Sequence, residues 1–269
     1  MSCPSFYWEG HERDLINNRL AWFAEPADES FWFSYWRERV TPQYYQSASQ
    51  INLGIDELGK VLLKELDLEG IHLEAGCGAG FWIAALRPHG FNVEGIEYAQ
   101  HLVEHIQMVN PMLPIQYGDA LNINQSDCYY NSYLSFGVVE HRLDGPEPFL
   151  AEAFRVLKEN GKIIISVPHF GWLRHQTTRF KRKSSSSRSE FFQYGFTQTE
   201  FCGLLEGAGF IVNYCNYLYL HRLLIEEIKL YRWLAYKRGG YRLKKIVEHG
   251  LRNRDGHMLL VVAHKPEGK

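Results

Sequence analysis

The sequence predicts an α/β fold with a doubly wound, mostly parallel sheet that is covered by helices on both faces. From residue 70 onward, short apolar runs of strand length alternate with longer segments of helical period. Two of the runs, "IHLEAG" at 71–76 and "KIIISVPHF" at 162–170, are rich in apolar or β-branched residues, as expected for strands buried on both faces. Such alternation is typical of consecutive strand–helix–strand units, which build a parallel sheet. A chain of 269 residues is long enough for one large domain of this kind.

The individual elements continue this alternation almost to the end of the chain. The predicted strands are "IHLEAG", "FNVEGIEYA", "PIQYGDA", "YYNSYLSFGVV", "KIIISVPHF", "IVNYCNYLYL" and "GHMLLVVAHK". The predicted helices between them are "FWIAALRPHG", "AQHLVEHIQMV", "PEPFLAEAFRVLKENG" and "FTQTEFCGLLEGAGF". At the start of the last helix, Thr197 and Glu200 have the spacing of a capping box.

Regions of different composition precede and interrupt this core. Residues 1–69 are predicted to form a helical, aromatic-rich N-terminal cap, because "FWFSYWRERV" is followed by a segment of helical period. Packing onto the core is the favoured role of these aromatic side chains, and a lid over a ligand is the alternative. Residues 70–269 form the predicted core, with a basic, serine-rich insertion at 169–196 expected to be an irregular loop and a helical insertion at 218–250.

The composition is that of an ordinary globular protein. Hydrophobic residues make up 45% of the chain, charged residues 22%, and the formal net charge is -2, so there is no overall bias toward nucleic acid. The five cysteines form no C-x-x-C pair, which argues against a zinc cluster or a disulfide framework. Since the start of the chain does not look like a secretory signal and no apolar window is long enough to span a bilayer, we expect a cytoplasmic protein.

A glycine-rich turn follows the first predicted strand in "LEAGCGAG". In an open parallel sheet the first strand-to-helix turn is a usual place for a ligand, because glycine lets the backbone adopt unusual angles and approach the ligand closely. The spacing G-x-G-x-G differs from the dinucleotide pattern G-x-G-x-x-G, and Phe81 stands where the third glycine of that pattern is required. A carboxylate before the first glycine favours a cationic or amine-bearing ligand over a pyrophosphate. The candidate cofactor residues in this turn are Glu74, Gly76, Cys77, Gly78 and Gly80.

Two further carboxylates end the next two predicted strands. Glu97 ends the strand in "VEGIEYA", where a carboxylate can accept hydrogen bonds from both ribose hydroxyls. Asp119 ends the strand in "YGDA", where it can accept a hydrogen bond from an exocyclic amine such as that of adenine. A carboxylate facing an amine, one facing a ribose and one facing adenine together describe a site for S-adenosylmethionine. Tyr98, Ala120 and Phe136 complete the set of candidate cofactor residues.

In these motifs the sequence resembles the class I S-adenosylmethionine-dependent methyltransferases, within the type 11 group that includes ubiquinone and menaquinone methyltransferases. The resemblance is carried by "LEAGCGAG", "VEGIEYA", "GDA", "SFGVVEH", "EAFRVLKENGKIIISVP" and "FTQTEFCGLLEGAGF", and it covers about residues 70–216. It implies a Rossmann-like, seven-stranded sheet whose last strand lies antiparallel beside the fifth. It also implies S-adenosylmethionine as cofactor and methyl transfer by in-line displacement.

The candidate catalytic residues lie where the fourth and fifth predicted strands end. The candidate general bases for an acceptor that must lose a proton are Glu140 and His141 in "VVEHRLDG" and His169 in "VPHFGW", with the two histidines favoured. A structural role, such as anchoring a loop, is the alternative for His141. The ubiquinone O-methyltransferases have a glutamate three positions before the Glu-His pair as part of a metal site. Gly137 occupies that position here, so we expect no metal requirement.

The methyl acceptor is expected to be a small molecule, either anionic or aromatic. Aromatic residues in the N-terminal cap suit an aromatic acceptor, and basic residues in two segments suit an anionic one. Those residues are Arg174, Arg179, Lys181, Arg182, Lys183 and Arg188 in the insertion, and Lys237, Arg238, Arg242, Lys244 and Lys245 after the late helix. A solvated loop and a charged helix end are the favoured interpretation of these two segments, and contact with an anionic acceptor is the alternative.

Three other readings of the function stay open. The late helix has apolar residues and a basic end, so peripheral contact with a membrane, and with it a lipid or macromolecular acceptor, is one alternative. A cofactor-binding protein without catalysis is another, and a nicotinamide-dependent dehydrogenase is disfavoured by Phe81. Nucleic acid is not expected as a partner, and the sequence does not indicate an oligomeric state.

Overall fold

The structure is a computed structural model that describes residues 12–181, 190–237, 240, 243–244, 247 and 254–268. The strands are β1 (Glu12–Ile16), β2 (Arg19–Ala24), β3 (Ile71–Ala75), β4 (Asn92–Glu97), β5 (Ile115–Tyr117), β6 (Tyr130–Phe136), β7 (Leu157–Pro168), β8 (Glu190–Gly195), β9 (Ile211–Leu218) and β10 (Met258–His264). The helices are α1 (Glu29–Arg37), α2 (Pro42–Ser49), α3 (Glu57–Glu65), α4 (Phe81–Leu86), α5 (Gln100–Val109), α6 (Glu147–Val156), α7 (Trp172–Lys181), α8 (Gln198–Gly207), α9 (Leu220–Glu227) and α10 (Lys229–Ala235).

A seven-stranded sheet with the order β5-β4-β3-β6-β7-β10-β9 forms the centre of the domain. The strands β3 to β7 pair in parallel, whereas β10 lies antiparallel to both β7 and β9. This confirms the predicted doubly wound sheet, including the antiparallel last strand beside the fifth predicted strand. Since β10 is antiparallel to both of its neighbours, β9 runs in the same direction as β7 and ends at the same edge of the sheet. We call this edge, where β3, β4, β6, β7 and β9 end, the carboxyl edge.

Two hydrophobic cores cover the two faces of the sheet. Along β7, Ile164 belongs to one core, while Ile163 and Ile165 belong to the other, and all three are fully buried. Helices α2 to α5 pack on the first face and α6 and α8 on the second. Strands buried on both faces explain why these runs are almost continuously apolar in the sequence. In the described part of the chain, no helix has the length and apolar character needed to cross a bilayer.

The prediction that residues 1–69 are helical is wrong for the start of the described chain, which forms strands. Residues 12–24 form the hairpin β1–β2, and β2 also pairs with β8, which makes a separate three-stranded sheet. The hairpin turn is Asn17-Asn18, with φ of 51° and 66°, and asparagine tolerates this left-handed region better than most residues. The Asn17-Asn18 pair is a turn signal in the sequence, but the aromatic run that follows it favoured a helical prediction for the whole segment. Helices α1, α2 and α3 complete the segment as predicted, and residues 1–11 lie outside the described residues.

The insertion at 169–196 is more regular than the predicted loop. It contains α7 and β8, and β8 is held by its pairing with β2, a partner more than 160 residues earlier in the chain that local sequence patterns cannot reveal. Arg182, Lys183 and Arg188 lie outside the described residues, as do Arg238, Arg242 and Lys245 in the late helical segment. That later segment begins with α9 and α10.

The prediction of a solvated basic loop is wrong at Arg174, which is buried in helix α7. Its side chain is 1% exposed and lies 3.1 Å from Glu226 and 3.5 Å from Glu227. Glu227 also pairs with Arg13 of β1 at 2.9 Å. Arg174 therefore links α7 to α9 inside the protein, next to the N-terminal hairpin, and is not available to an acceptor.

Candidate active site

The glycine turn lies at the carboxyl edge between β3 and α4. Gly76, Gly78 and Gly80 have φ values of +71°, +51° and +71°, a region that glycine adopts at little cost. A Cβ atom on Gly76 would lie 2.7 Å from Cγ2 of Val138, and one on Gly80 would overlap Ile115. The backbone angles and the close approach of the chain's own side chains therefore both require glycine at these two positions.

Above Gly78 lies a side chain of the N-terminal segment. A Cβ atom on Gly78 would be 2.8 Å from Cε2 of Trp36 in α1. None of the residues of α1 is buried, although the helix contains five aromatic side chains. Helix α1 thus rests on the glycine turn while its aromatic rings keep part of their surface accessible.

Glu97 connects the end of β4 to the glycine turn. Its Oε2 accepts a hydrogen bond from Gly78 N at 2.9 Å, and its Oε1 accepts one from Ala99 N at 3.0 Å. Burial raises the pKa of Glu97, although these backbone hydrogen bonds act in the opposite direction. Each carboxylate oxygen has a second lone pair, so the group can still accept hydrogen bonds from two ligand hydroxyls.

Glu74 is a buried carboxyl group at the end of β3. It is 4% exposed, and its Oε2 has no hydrogen-bond partner among the described residues. Burial raises the pKa of Glu74 to about 8, and the nearby Glu97 adds to the effect. A buried polar atom without a partner is costly, so this site fits a ligand that brings a cationic donor.

The remaining predicted cofactor residues line the same edge in different environments. Asp119 is exposed, and its Oδ1 accepts a hydrogen bond from Leu121 N at 2.8 Å, so it also holds its own turn. Ala120 is buried at 7% exposure, and Phe136 is partly buried with its ring edge-to-face on Trp82. The Tyr98 hydroxyl donates to Ala27 O at 3.0 Å, which ties the segment before α1 to the end of β4.

Cys77 has the geometry of a packing residue. Its side chain is buried at 7% exposure, and a Cβ atom on Gly95 would lie 2.8 Å from its Sγ. Burial raises the pKa of the Cys77 thiol, and the carboxyl groups of Glu74 and Glu97 add to this. A thiol that stays protonated is a poor nucleophile, so Cys77 contributes to the wall of the site rather than to covalent chemistry.

His141 lies in a pocket of aromatic rings after β6. Its ring centroid is 5.0 Å from that of Trp32 in α1 and 4.9 Å from that of Phe192 in β8. Its Nδ1 lies 2.8 Å from Phe192 O. Because a carbonyl oxygen can only accept, Nδ1 carries the hydrogen and Nε2 of the neutral ring is an acceptor. Burial lowers the pKa of His141 to about 4, so the ring is neutral at ordinary pH.

His169 lies in a different environment from His141. Its Nδ1 lies 2.9 Å from Oδ1 of Asp255, and its ring stacks on Tyr217 with centroids 4.6 Å apart. His169 forms a bridge with Phe196, whereas His141 contacts Phe192, four positions earlier along the same stretch. Four residues of extended chain span roughly 13 Å, so the two histidines are held at separate places.

The site residues that the sequence did not indicate are aromatic. Trp32, Trp36 and Phe192 surround the turn and His141. Glu140, which the sequence did indicate, is 2% exposed, its Oε2 has no partner among the described residues, and burial raises its pKa to about 8. The aromatic run "FWFSYW" indicated a cap, but its contacts depend on how α1 crosses the carboxyl edge. In the part of the chain that the structure describes, no three His, Cys, Asp or Glu side chains are grouped to hold a metal ion.

Comparison with known proteins decides the family. A family model described as a methyltransferase domain matches residues 46–213, which is more than half of the chain. The chain belongs to this family. The match begins in α2 and ends in β9, so it includes the glycine turn, both buried carboxyl groups and His141. Membership of the methyltransferase family confirms the predicted class, and it implies S-adenosylmethionine as the methyl donor. The ubiquinone-type subgroup stays a prediction.

Similar proteins agree with this assignment. A protein of Mycolicibacterium smegmatis, named a probable S-adenosylmethionine-dependent methyltransferase, is 29% identical over 141 residues. The alignment covers 52% of this chain and 52% of that protein, so the chain matches about half the length of this curated relative. 

Two solved structures share the fold. One, at TM-score 0.59 and 15% identity, comes from a complex with the Haloferax volcanii Trm112 methyltransferase activator and covers 90% of this chain and 99% of that one. The other, the [4+2]-cyclase SpnF, has TM-score 0.55 and 17% identity, with coverage of 91% and 98%. Identities this low establish a shared fold and nothing about the reaction.

Proposed function

We propose that this chain binds S-adenosylmethionine at the glycine turn and transfers its methyl group to a small-molecule acceptor by in-line displacement. The observation that carries the proposal is the pair of buried carboxyl groups, Glu74 and Glu97, beside the left-handed glycine turn. Glu74 has an unpartnered oxygen, and a cation would remove the cost of that burial. S-adenosylmethionine carries an ammonium group and a sulfonium group but no phosphate, which fits this charge pattern better than a dinucleotide does.

Each predicted cofactor residue has a distinct role in this proposal. Glu97 would hold the ribose hydroxyls, Glu74 would face the amine end, and Asp119 would accept from the adenine amine. Phe136, Tyr98 and Ala120 would line the adenosine, and Cys77 would pack behind the turn. When bound, the sulfonium supplies an electrophilic methyl group whose bond to sulfur breaks as the bond to the acceptor forms. The protein's own contribution is then alignment of the acceptor and exclusion of water.

His141 is the better placed of the two candidate bases. Its Nδ1 hydrogen is held by Phe192 O, which leaves the Nε2 lone pair for a proton from an acceptor hydroxyl or amine. A neutral ring is required for this role, and the lowered pKa of about 4 keeps it neutral; the same shift makes the ring a weak base, so the role fits an acceptor that loses its proton readily. We propose His141 as the general base, whereas His169 would position the neighbouring loop through Asp255.

The surroundings of His141 support an aromatic acceptor. Trp32 and Phe192 meet the imidazole edge-to-face, with interplanar angles of 81° in both pairs. A planar, apolar acceptor that bears one ionisable group could lie against these rings and reach Nε2. In this proposal the side chains of α1 and β8 determine which acceptor binds, while the strand ends of the seven-stranded sheet bind the cofactor.

A transfer assay tests the proposal. The protein is incubated with S-adenosylmethionine labelled in the methyl group and with pools of phenolic, carboxylated and amine-bearing small molecules, and labelled products are detected by mass spectrometry. The proposal predicts label in one pool, lost with Glu97→Ala and strongly reduced with His141→Gln. Tight binding of the cofactor with no label transferred to any pool would instead favour a cofactor-binding protein without methyl transfer.

A further inference from the structure

Helix α10 presents an unusually apolar surface to solvent. Four large side chains between positions 230 and 236 are exposed, and Tyr231 is the buried residue of this helix. The exposed fractions are 66% for Leu230, 58% for Trp233, 40% for Leu234 and 64% for Tyr236. Single exposed apolar residues are ordinary, but four large ones on α10 and the residue directly after it form the kind of exposed patch that marks an interaction site.

Basic side chains accompany these apolar residues. A surface cavity of about 550 Å³ is lined by Lys229, Arg232, Trp233, Tyr236 and Lys237, a set that contains three cations, two aromatic rings and no carboxylate. The Lys237 ammonium lies 4.9 Å from the centre of the Trp233 ring. Neither Lys229 nor Lys237 forms an ion pair with a carboxylate among the described residues, so the cavity favours an anionic group. We call these five residues together with Leu230 and Leu234 the α10 surface.

The α10 surface extends from the same edge of the sheet as the candidate active site. Leu218, the last residue of β9, pairs with Met258, and Met258 pairs with Pro168 at the end of β7. Helix α9 begins at Leu220, two residues after the end of β9 at this edge, and α10 follows α9 directly. The glycine turn and His141 also follow strands that end at this carboxyl edge.

We propose that the α10 surface docks the protein on an anionic membrane. Tryptophan and tyrosine are favoured at the level of lipid headgroups, where the ring is buried and its polar atom stays hydrated. Leu230 and Leu234 would enter the acyl boundary, while Lys229 and Lys237 would meet headgroup phosphates. The inference does not depend on the identity of the methyl donor. Because the chain leaves the carboxyl edge at the end of β9 and continues into α9 and α10, docking through α10 would hold the protein at a membrane in which apolar acceptors dissolve.

Two features favour a membrane over other partners. Exposed leucine side chains gain free energy in an acyl environment, whereas a nucleic acid offers them no comparable burial. A second copy of the same face would bring lysines of like charge together, which opposes self-association. An anionic lipid surface provides phosphates for the lysine side chains and an acyl environment for the leucine side chains.

Sedimentation with vesicles tests the inference. The full chain is mixed with vesicles of phosphatidylcholine alone or of phosphatidylcholine with phosphatidylglycerol, and the bound fraction is measured. Binding is expected with the anionic vesicles and is expected to fall about 25-fold in the double variant Lys229→Gln/Lys237→Gln, since each basic residue near such a surface contributes about 5-fold. Trp233→Ala is expected to weaken binding further.

Matched controls use exposed residues that are not part of the α10 surface. Lys60→Gln removes an exposed lysine of α3, and Tyr117→Ala removes a tyrosine with 61% exposure on β5, the opposite end of the sheet. Both controls are expected to bind vesicles as the parent protein does, and circular dichroism verifies that all variants are folded. Equal binding to neutral and anionic vesicles, unchanged binding in the α10 variants, or binding to polyuridylate RNA in place of vesicles would each overturn the inference.

Discussion

The indole of Trp36 lies directly over Gly78, at a point where a Cβ atom on the glycine would be only 2.8 Å from the ring. Helix α1 is fastened in this position by polar contacts at the start of α5, since Gln100 N donates to Oε1 of Glu29 at 2.9 Å. The proposed cofactor site and the aromatic cap are therefore in direct contact. A ligand that lies flat on the glycine turn has to displace or reorient Trp36.

Ligand binding is expected to change the fluorescence of Trp36. Titration with S-adenosylhomocysteine should shift the emission of the parent protein, because the indole loses its contact with the turn. The shift should disappear in Trp36→Phe and persist in Trp233→Phe, whose ring lies on α10 with 58% exposure. An identical shift in the parent protein and Trp36→Phe would contradict the contact between cap and cofactor.

Two glycine-to-alanine changes should have opposite effects on stability. Gly78→Ala forces a side chain into the left-handed region and against Trp36, and it should lower the free energy of unfolding by at least about 1 kcal/mol. Gly203 lies inside α8 with nothing within 4 Å of a Cβ atom, so Gly203→Ala should raise that free energy by about 1 kcal/mol. Urea unfolding measures both. Equal effects in the two variants would show that the turn does not constrain Gly78.

Glu74 should make both stability and ligand binding depend on pH. Its pKa is raised from 4.5 to about 8, so the folded state holds a proton that the unfolded chain releases. This contribution to stability is present below about pH 4.5 and is lost as the pH rises toward 8. Glu74→Gln should therefore be more stable than the parent protein near pH 8, as measured by urea unfolding.

The same carboxyl group should release a proton when a cationic ligand binds at pH 7. Calorimetry in buffers of different ionisation enthalpy measures that release, and Glu74→Gln should abolish it. Glu140→Gln is the matched control, because burial also raises the pKa of Glu140 to about 8, yet Glu140 is not part of the proposed cofactor contacts. Proton release that persists in Glu74→Gln would contradict the role of Glu74.

Substitution of His141 and of His169 should affect kcat to different extents. His141→Gln removes the proposed base and should lower kcat roughly 100-fold or more, with the affinity for the cofactor unchanged. Because the pKa of His141 is lowered to about 4, the rate should show no limb from this group between pH 5 and 8. His169→Gln should lower stability through the loss of the Asp255 contact, with a smaller effect on kcat. A larger loss of kcat in His169→Gln than in His141→Gln would reverse these assignments.

The sequence predicted those parts of the protein that depend on local pattern. The seven strands of the main sheet follow from apolar runs bounded by turn residues, and the Thr197 cap of α8 follows from one spacing, with Glu200 N bonded to Thr197 Oγ1 at 3.2 Å. The glycine turn and Glu97 were found because the residues needed to hold a ligand there occupy neighbouring strand ends.

The features that the sequence did not reveal depend on contacts between distant residues. Strand β8 exists because β2 pairs with it. Arg174 stands in a basic stretch of sequence, yet it is buried because carboxylates of α9 pair with it, and Arg13 of β1 pairs with one of them. The contact of Trp36 with Gly78 likewise requires knowledge of where α1 crosses the sheet edge. The local sequence does not contain the partners that determine these three features.

The most direct test of the account is calorimetric titration of the purified protein with S-adenosylhomocysteine, in parallel with Glu97→Ala and the exposed control Glu69→Ala. We predict that the parent protein binds this ligand, that binding is about 100-fold weaker in Glu97→Ala because two hydrogen bonds to a charged group are lost, and that binding is unchanged in Glu69→Ala. Absence of binding to the folded parent protein, or equal binding in all three proteins, would contradict the proposed cofactor site.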